Sequence, residues 1–107
     1  MKYSFYFSPL AEQKLLQLFN YLIEEWSVKV KDNFRQIFDE KLDQISNYPE
    51  SSVKSKEFFN LHLCIVTKQT SFLYRINNNE IEVITVFDNR SSFKSITKEI
   101  RKYYGRI

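Results

Sequence analysis

The chain has 107 residues, a net charge of +3, and 43% hydrophobic and 17% aromatic content, which excludes disorder. This length predicts one domain over residues 1–107, able to bury roughly two-thirds of its unfolded surface. Cys64 alone excludes an internal disulfide and points to a reducing cytoplasm; one histidine and one cysteine exclude the usual zinc site, so neither metal nor cofactor is expected. Nothing at the N-terminus reads as a signal peptide, and no apolar run is long enough for a membrane helix.

Lys2 to Phe7 alternates, with Tyr3, Phe5 and Phe7 on one side and Lys2, Ser4 and Tyr6 on the other, which predicts a half-buried strand. Ser8-Pro9 reads as an N-cap followed by a first helical turn. A helix is predicted from about Pro9 to Trp26, with Ala11, Leu15, Leu18, Phe19, Leu22 and Trp26 on one face. Ser27 caps a second helix whose stripe is Val30, Phe34, Ile37, Phe38, Leu42 and Ile45. Tyr48-Pro49 ends it, because the residue before proline is pushed out of the helical region. Helices joined this closely form an antiparallel hairpin, and their stripes read as sheet-facing core.

Glu50 to Lys56 is predicted as a polar loop. Three strands follow, with Phe59, Leu61, Leu63 and Ile65 on one face of the first. Phe72, Tyr74 and Ile76 share a face of the second, and Ile81, Val83, Thr85 and Phe87 a face of the third. Asn77-Asn78-Asn79 joins the last two as a hairpin, since asparagine tolerates positive φ. Phe93, Ile96, Ile100 and Tyr103 then predict a closing helix, capped by Ser91 or Ser92 and ending near Gly105. The order is β-α-α-β-β-β-α: an α+β domain in which a helical hairpin packs on an antiparallel sheet.

With Gly105 as the only glycine, the chain has no phosphate loop, dinucleotide fingerprint or nucleophile elbow. His62 and Cys64 lie two apart on one strand and so share a face. A Cys–His pair or a His62 general base is conceivable there, but a buried thiol and a partly buried strand histidine rank first. The cations are more informative. Residues 1–50 sum to −2, residues 51–87 to +1 and residues 88–107 to +4, an asymmetry that suggests an anionic partner for the C-terminal part. A solvated helix face is the plain alternative for Lys94, Lys98, Arg101, Lys102 and Arg106. Lys54, Lys56, Lys68, Arg75 and Arg90 are expected to form a concave cationic surface in an antiparallel sheet. Such a surface suits RNA cleavage, which needs cations around the phosphate plus a proton acceptor and donor. Arg90 also has a plain reading, an ion pair with Asp88 or Glu99.

Ser8-Pro9-x-Ala11, Asn20-Tyr21-Leu22 through Trp26, Phe72-Leu73-Tyr74-Arg75-Ile76 and Ile81-x-Val83-Ile84-x-Val86-Phe87-Asp88-Asn89-Arg90 stand in an order that resembles the RelE/ParE superfamily of toxins from type II toxin–antitoxin modules. The resemblance covers nearly the whole chain. It implies a growth-inhibiting bacterial toxin, found in modules such as those of plasmid stabilisation, silenced by a cognate antitoxin and able to form a homodimer. RelE-like members cleave mRNA, usually on the ribosome, whereas ParE-like members inhibit DNA gyrase without nuclease chemistry. A RelE-like reading assigns Arg90 to phosphate stabilisation, Lys54 or Lys56 to assistance, and His62 or Tyr103 to proton transfer. It leaves Lys68, Arg75, Lys94, Lys98, Arg101 and Lys102 as binding residues. Two departures favour the ParE-like branch slightly. Gln69, Thr70 and Ser71 stand where nucleases of the superfamily carry a cation, and Phe93 stands where they carry an acid–base residue. A nucleic-acid-binding or inactive module sharing the fold is the further alternative.

Overall fold

The computed structural model describes residues 2–105; Arg106, counted in the basic tail, lies outside them. Strand β1 (Ser4–Phe7) leads into helices α1 (Pro9–Glu25) and α2 (Val28–Asn47). Then come β2 (Lys54–Ser55), a 3-10 turn (Lys56–Phe58), β3 (Leu61–Ile65), β4 (Thr70–Asn77), β5 (Glu80–Asp88) and helix α3 (Phe93–Tyr104). Each helix starts on a serine. The hydroxyls of Ser8, Ser27 and Ser92 accept from the backbone N–H of Ala11, Val30 and Ser95, satisfying a donor that the first turn leaves orphaned.

The sheet order is β1-β5-β4-β3-β2. It is antiparallel from β2 to β5, as expected, and takes β1 parallel to β5. The half-buried face expected of β1 is only partly met, since Phe5 and Tyr6 are equally exposed in this edge strand and Phe7 alone packs on the core, and alternation does not carry the direction of a neighbour, so the parallel pairing is a finding of the structure. The helical hairpin covers one face, where Ala11, Phe34, Phe38, Leu42 and Ile45 bury Phe72, Tyr74, Ile81, Val83 and Val86. Helix α3 covers the other, where Ile96 and Ile100 pack with Leu61, Leu73, Ile84 and Phe87. Burial on both faces is why β4 and β5 read as nearly continuous apolar runs.

Four sequence expectations are corrected. Leu73 pairs with Thr85 but Tyr74 with Val83, so Ile84 is an extra, bulged residue in β5. The bulge flips the faces beyond it. Ile81 and Val83 face the helical hairpin, Val86 resumes that face, and Phe87 turns toward α3 instead of aligning with Val83. The loop expected over Glu50–Lys56 contains the short edge strand β2. Phe59 is not in β3 but adopts a left-handed conformation, φ 59°, closing the 3-10 turn. Trp26 caps the C-terminus of α1 and is 69% exposed rather than part of its buried face.

Candidate functional site

The end of the sheet where β5 finishes is built by two turns bonded to each other. Thr67 Oγ1 accepts from the backbone N–H of Gln69 and of Thr70, each at 3.2 Å, which tightens the β3–β4 turn. Asn89 binds that turn to β5: its backbone N–H donates to the Gln69 carbonyl at 2.7 Å and its Nδ2 to the Lys68 carbonyl at 3.0 Å. Its Oδ1 accepts from the buried Ser71 hydroxyl at 2.6 Å. Asp88 then fixes Arg90. One carboxylate oxygen accepts from the Arg90 backbone N–H at 2.7 Å and from Nε at 3.1 Å, and the other from Nη2 at 2.9 Å. The Arg90 bonds hold the Asp88 carboxyl below its usual range, and Asp88 in turn raises the pKa of Arg90. The Arg90 side chain stays 83% exposed, a cation at a strand end that faces solvent.

Helix α1 lies beside this corner. Lys14, Gln17, Leu18 and Tyr21 line a groove of about 320 Å³ together with Thr70, Val86, Phe87, Asp88 and Arg90. The spacing 14, 17, 18, 21 puts the four on one helix face. Lys14 also pairs with Glu99 of α3 at 3.2 Å, tying the two helices together. The sequence reading missed Lys14, Gln17, Tyr21 and Asn89. The polar residues that border the apolar stripe of α1 at helical spacing are the signal for the first three.

The concave surface expected of Lys54, Lys56, Lys68, Arg75 and Arg90 does not assemble. Lys68 and Arg90 share the same end through Asn89. Lys54 pairs with His62 at the far edge of the sheet, and Lys56 follows it in the 3-10 turn. By strand geometry Lys54 stands about 13 Å along and about 14 Å across from the end of β5. Arg75 sits toward the opposite, hairpin end, where Nε donates to Glu82 at 2.6 Å and the guanidinium lies 5.5 Å from the centre of the Tyr104 ring. His62 is buried, its Nδ1 donates to the Ser52 carbonyl at 2.7 Å, and its ring stacks on Tyr74 at 4.9 Å. Cys64 is buried, and burial pushes its thiol up. Tyr103 donates to Gln13 Oε1 at 2.6 Å, near the start of α1. Lys94, Lys98 and Lys102 form an exposed row along α3, and the Arg101 guanidinium lies 5.3 Å from the centre of the Phe59 ring. No group of histidine, cysteine and acidic residues able to hold a metal occurs among the described residues, and no helix among them is long and apolar enough to cross a membrane.

The fold has a counterpart among solved structures. A solved structure described as the chromosomal ParDE TA system from P. aeruginosa superposes with a TM-score of 0.69 at 11% identity, over 81% of this chain and 96% of that one. At that identity it establishes the fold. No curated protein matches the chain. The family model described as the ParE toxin of the type II toxin–antitoxin system parDE matches residues 5–93, from β1 through the Arg90 corner to the start of α3. A toxin of this kind has a cognate antitoxin as its partner. The chain belongs to the ParE toxin family of type II toxin–antitoxin systems.

Proposed function

We propose that this toxin arrests growth by binding DNA gyrase through the Arg90 groove, without cutting nucleic acid. One observation carries the reading: the expected proton carriers are held away from Arg90. His62 is buried against Tyr74 and bonded to Ser52, and Tyr103 is bonded to Gln13. Inhibition by binding needs a solvent-facing cation beside a groove, and it needs no proton transfer. The test is gyrase supercoiling of a relaxed plasmid with the full-length chain added. The proposal expects loss of supercoiling, and recovery when Arg90→Ala replaces the parent chain. Undiminished supercoiling at excess toxin would sink it.

A second reading rests on Tyr21, whose side chain lines the groove with Lys14 and Arg90. A tyrosine hydroxyl that shares a groove with two cations is a serviceable proton donor for RNA cleavage. In that case transcripts from induced cells carry new 5′ ends that disappear with Tyr21→Phe.

A further inference from the structure

Of the cations that the sequence singles out, Arg75, Arg90 and Arg101 are already engaged, and Lys54, Lys56 and Lys68 lie on other elements without forming a row. Arg90 is held by Asp88, Arg75 by Glu82, and Arg101 lies over Phe59. Helix α3 is different. Lys94, Lys98 and Lys102 recur every four residues, so they stack into one ridge with a charge about every 6 Å. All three are exposed, and none has a carboxylate within ion-pair distance among the described residues. The acidic side chain beside the ridge, Glu99, is paired by Lys14 at 3.2 Å. On the opposite sheet face, α2 presents Asp32, Asp39, Glu40 and Asp43 around Arg35. Helix α3 carries Lys94, Lys98, Arg101 and Lys102 against Glu99 alone, whereas the acids of α2 are balanced by Lys29, Lys31, Arg35 and Lys41.

We infer that the Lys94–Lys98–Lys102 ridge is a contact surface for the phosphate backbone of duplex DNA. Charge complementarity carries it, a row of unpaired cations against a row of phosphates. Three lysines span about 12 Å, against one phosphate per about 3.4 Å on each DNA strand, so the ridge faces three or four phosphates. Lysine is a mobile point charge without the planar fork that reads base edges, so the contact is backbone-directed and independent of sequence. Ser92 and Ser95 complete this face, and no large apolar side chain lines it, so it has nothing to insert into a bilayer. The excess of cations on α3 over the balanced charges of α2 sets which side docks. The inference stands apart from the gyrase proposal, because the contact is read on bare DNA with no enzyme present.

Fluorescence anisotropy of a labelled 20-base-pair duplex with the full-length chain, titrated across salt, tests it. Three neutralised phosphates predict an affinity loss of about 40-fold or more between 50 and 200 mM salt. Lys94→Gln, Lys98→Gln and Lys102→Gln together should flatten the log–log salt slope by about 2.7. Glutamine keeps helix propensity, so the triple variant is expected to melt with the parent. Lys29→Gln on α2 should leave the slope unchanged. A slope that the triple variant does not move, or binding of a labelled polyglutamate peptide with none of the duplex, would overturn the inference.

Discussion

Both ends of the Asn89 side-chain amide are engaged, and with its backbone N–H they join the end of β5 to residues 67–71, which the sequence keeps 18 to 22 residues away. Asn89→Ala leaves the buried Ser71 hydroxyl without its acceptor and frees the β3–β4 turn. We expect a loss of about 1–2 kcal/mol in urea unfolding, the usual cost of orphaning one buried polar group. Arg90 is the contrasting case. Its ion pair is exposed and local, so Arg90→Ala should leave the unfolding curve in place while removing growth inhibition. The two variants thus separate building the corner from the proposed use of it. Arg90 was legible in the sequence because a cation after an apolar strand stands out. Asn89 was not, because an asparagine at a strand end reads as an ordinary turn former and its partners are distant in sequence.

The element scale shows the same division. Every helix start was legible, since a serine cap and the N–H it accepts lie three residues apart. The β5 bulge was not, because a bulge belongs to a pair of strands, and the alternation Ile81, Val83, Thr85, Phe87 reads as one unbroken face. Ser8 connects the two. Its hydroxyl accepts from Ala11 N–H at 3.0 Å and donates to the carbonyl of the bulged Ile84 at 2.7 Å. Ser8→Ala removes a helix cap and strands a buried carbonyl at once. A destabilisation of about 2 kcal/mol is expected, whereas Ser27→Ala, an exposed cap without the second bond, should cost about 1 kcal/mol. Equal melting shifts for the two variants would contradict this role for Ser8.

Across the whole molecule, α3 is closed onto the sheet by one polar cluster. Glu82 accepts from Arg75 at 2.6 Å, Tyr104 at 2.8 Å and Asn77 at 3.1 Å. Burial pushes the Glu82 carboxyl up, and the bonds from Arg75 and Tyr104 outweigh it, so its pKa lies below the ordinary 4.5. Its contribution is therefore fully present above about pH 4.5 and is lost as pH falls through the lower folded value. Burial, with Glu82 nearby, pushes Tyr104 up to about 12 from 10.0. That contribution is present below pH 10 and is lost as pH rises toward 12. Glu82→Gln should flatten the acid limb of the stability–pH curve, which thermal melts across pH will read. The cluster anchors the C-terminal end of α3, whose start lies just past Arg90 at the other end of the sheet, so fold closure and the candidate site sit at opposite poles. The claim that the Arg90 pole stops growth by holding gyrase is tested most directly in cells, by inducing the parent chain and Arg90→Ala and reading plasmid topology beside transcript 5′ ends. The account predicts loss of negative supercoiling with intact transcripts for the parent and neither effect for the variant. Normal supercoiling with new transcript ends that vanish in the variant would contradict it.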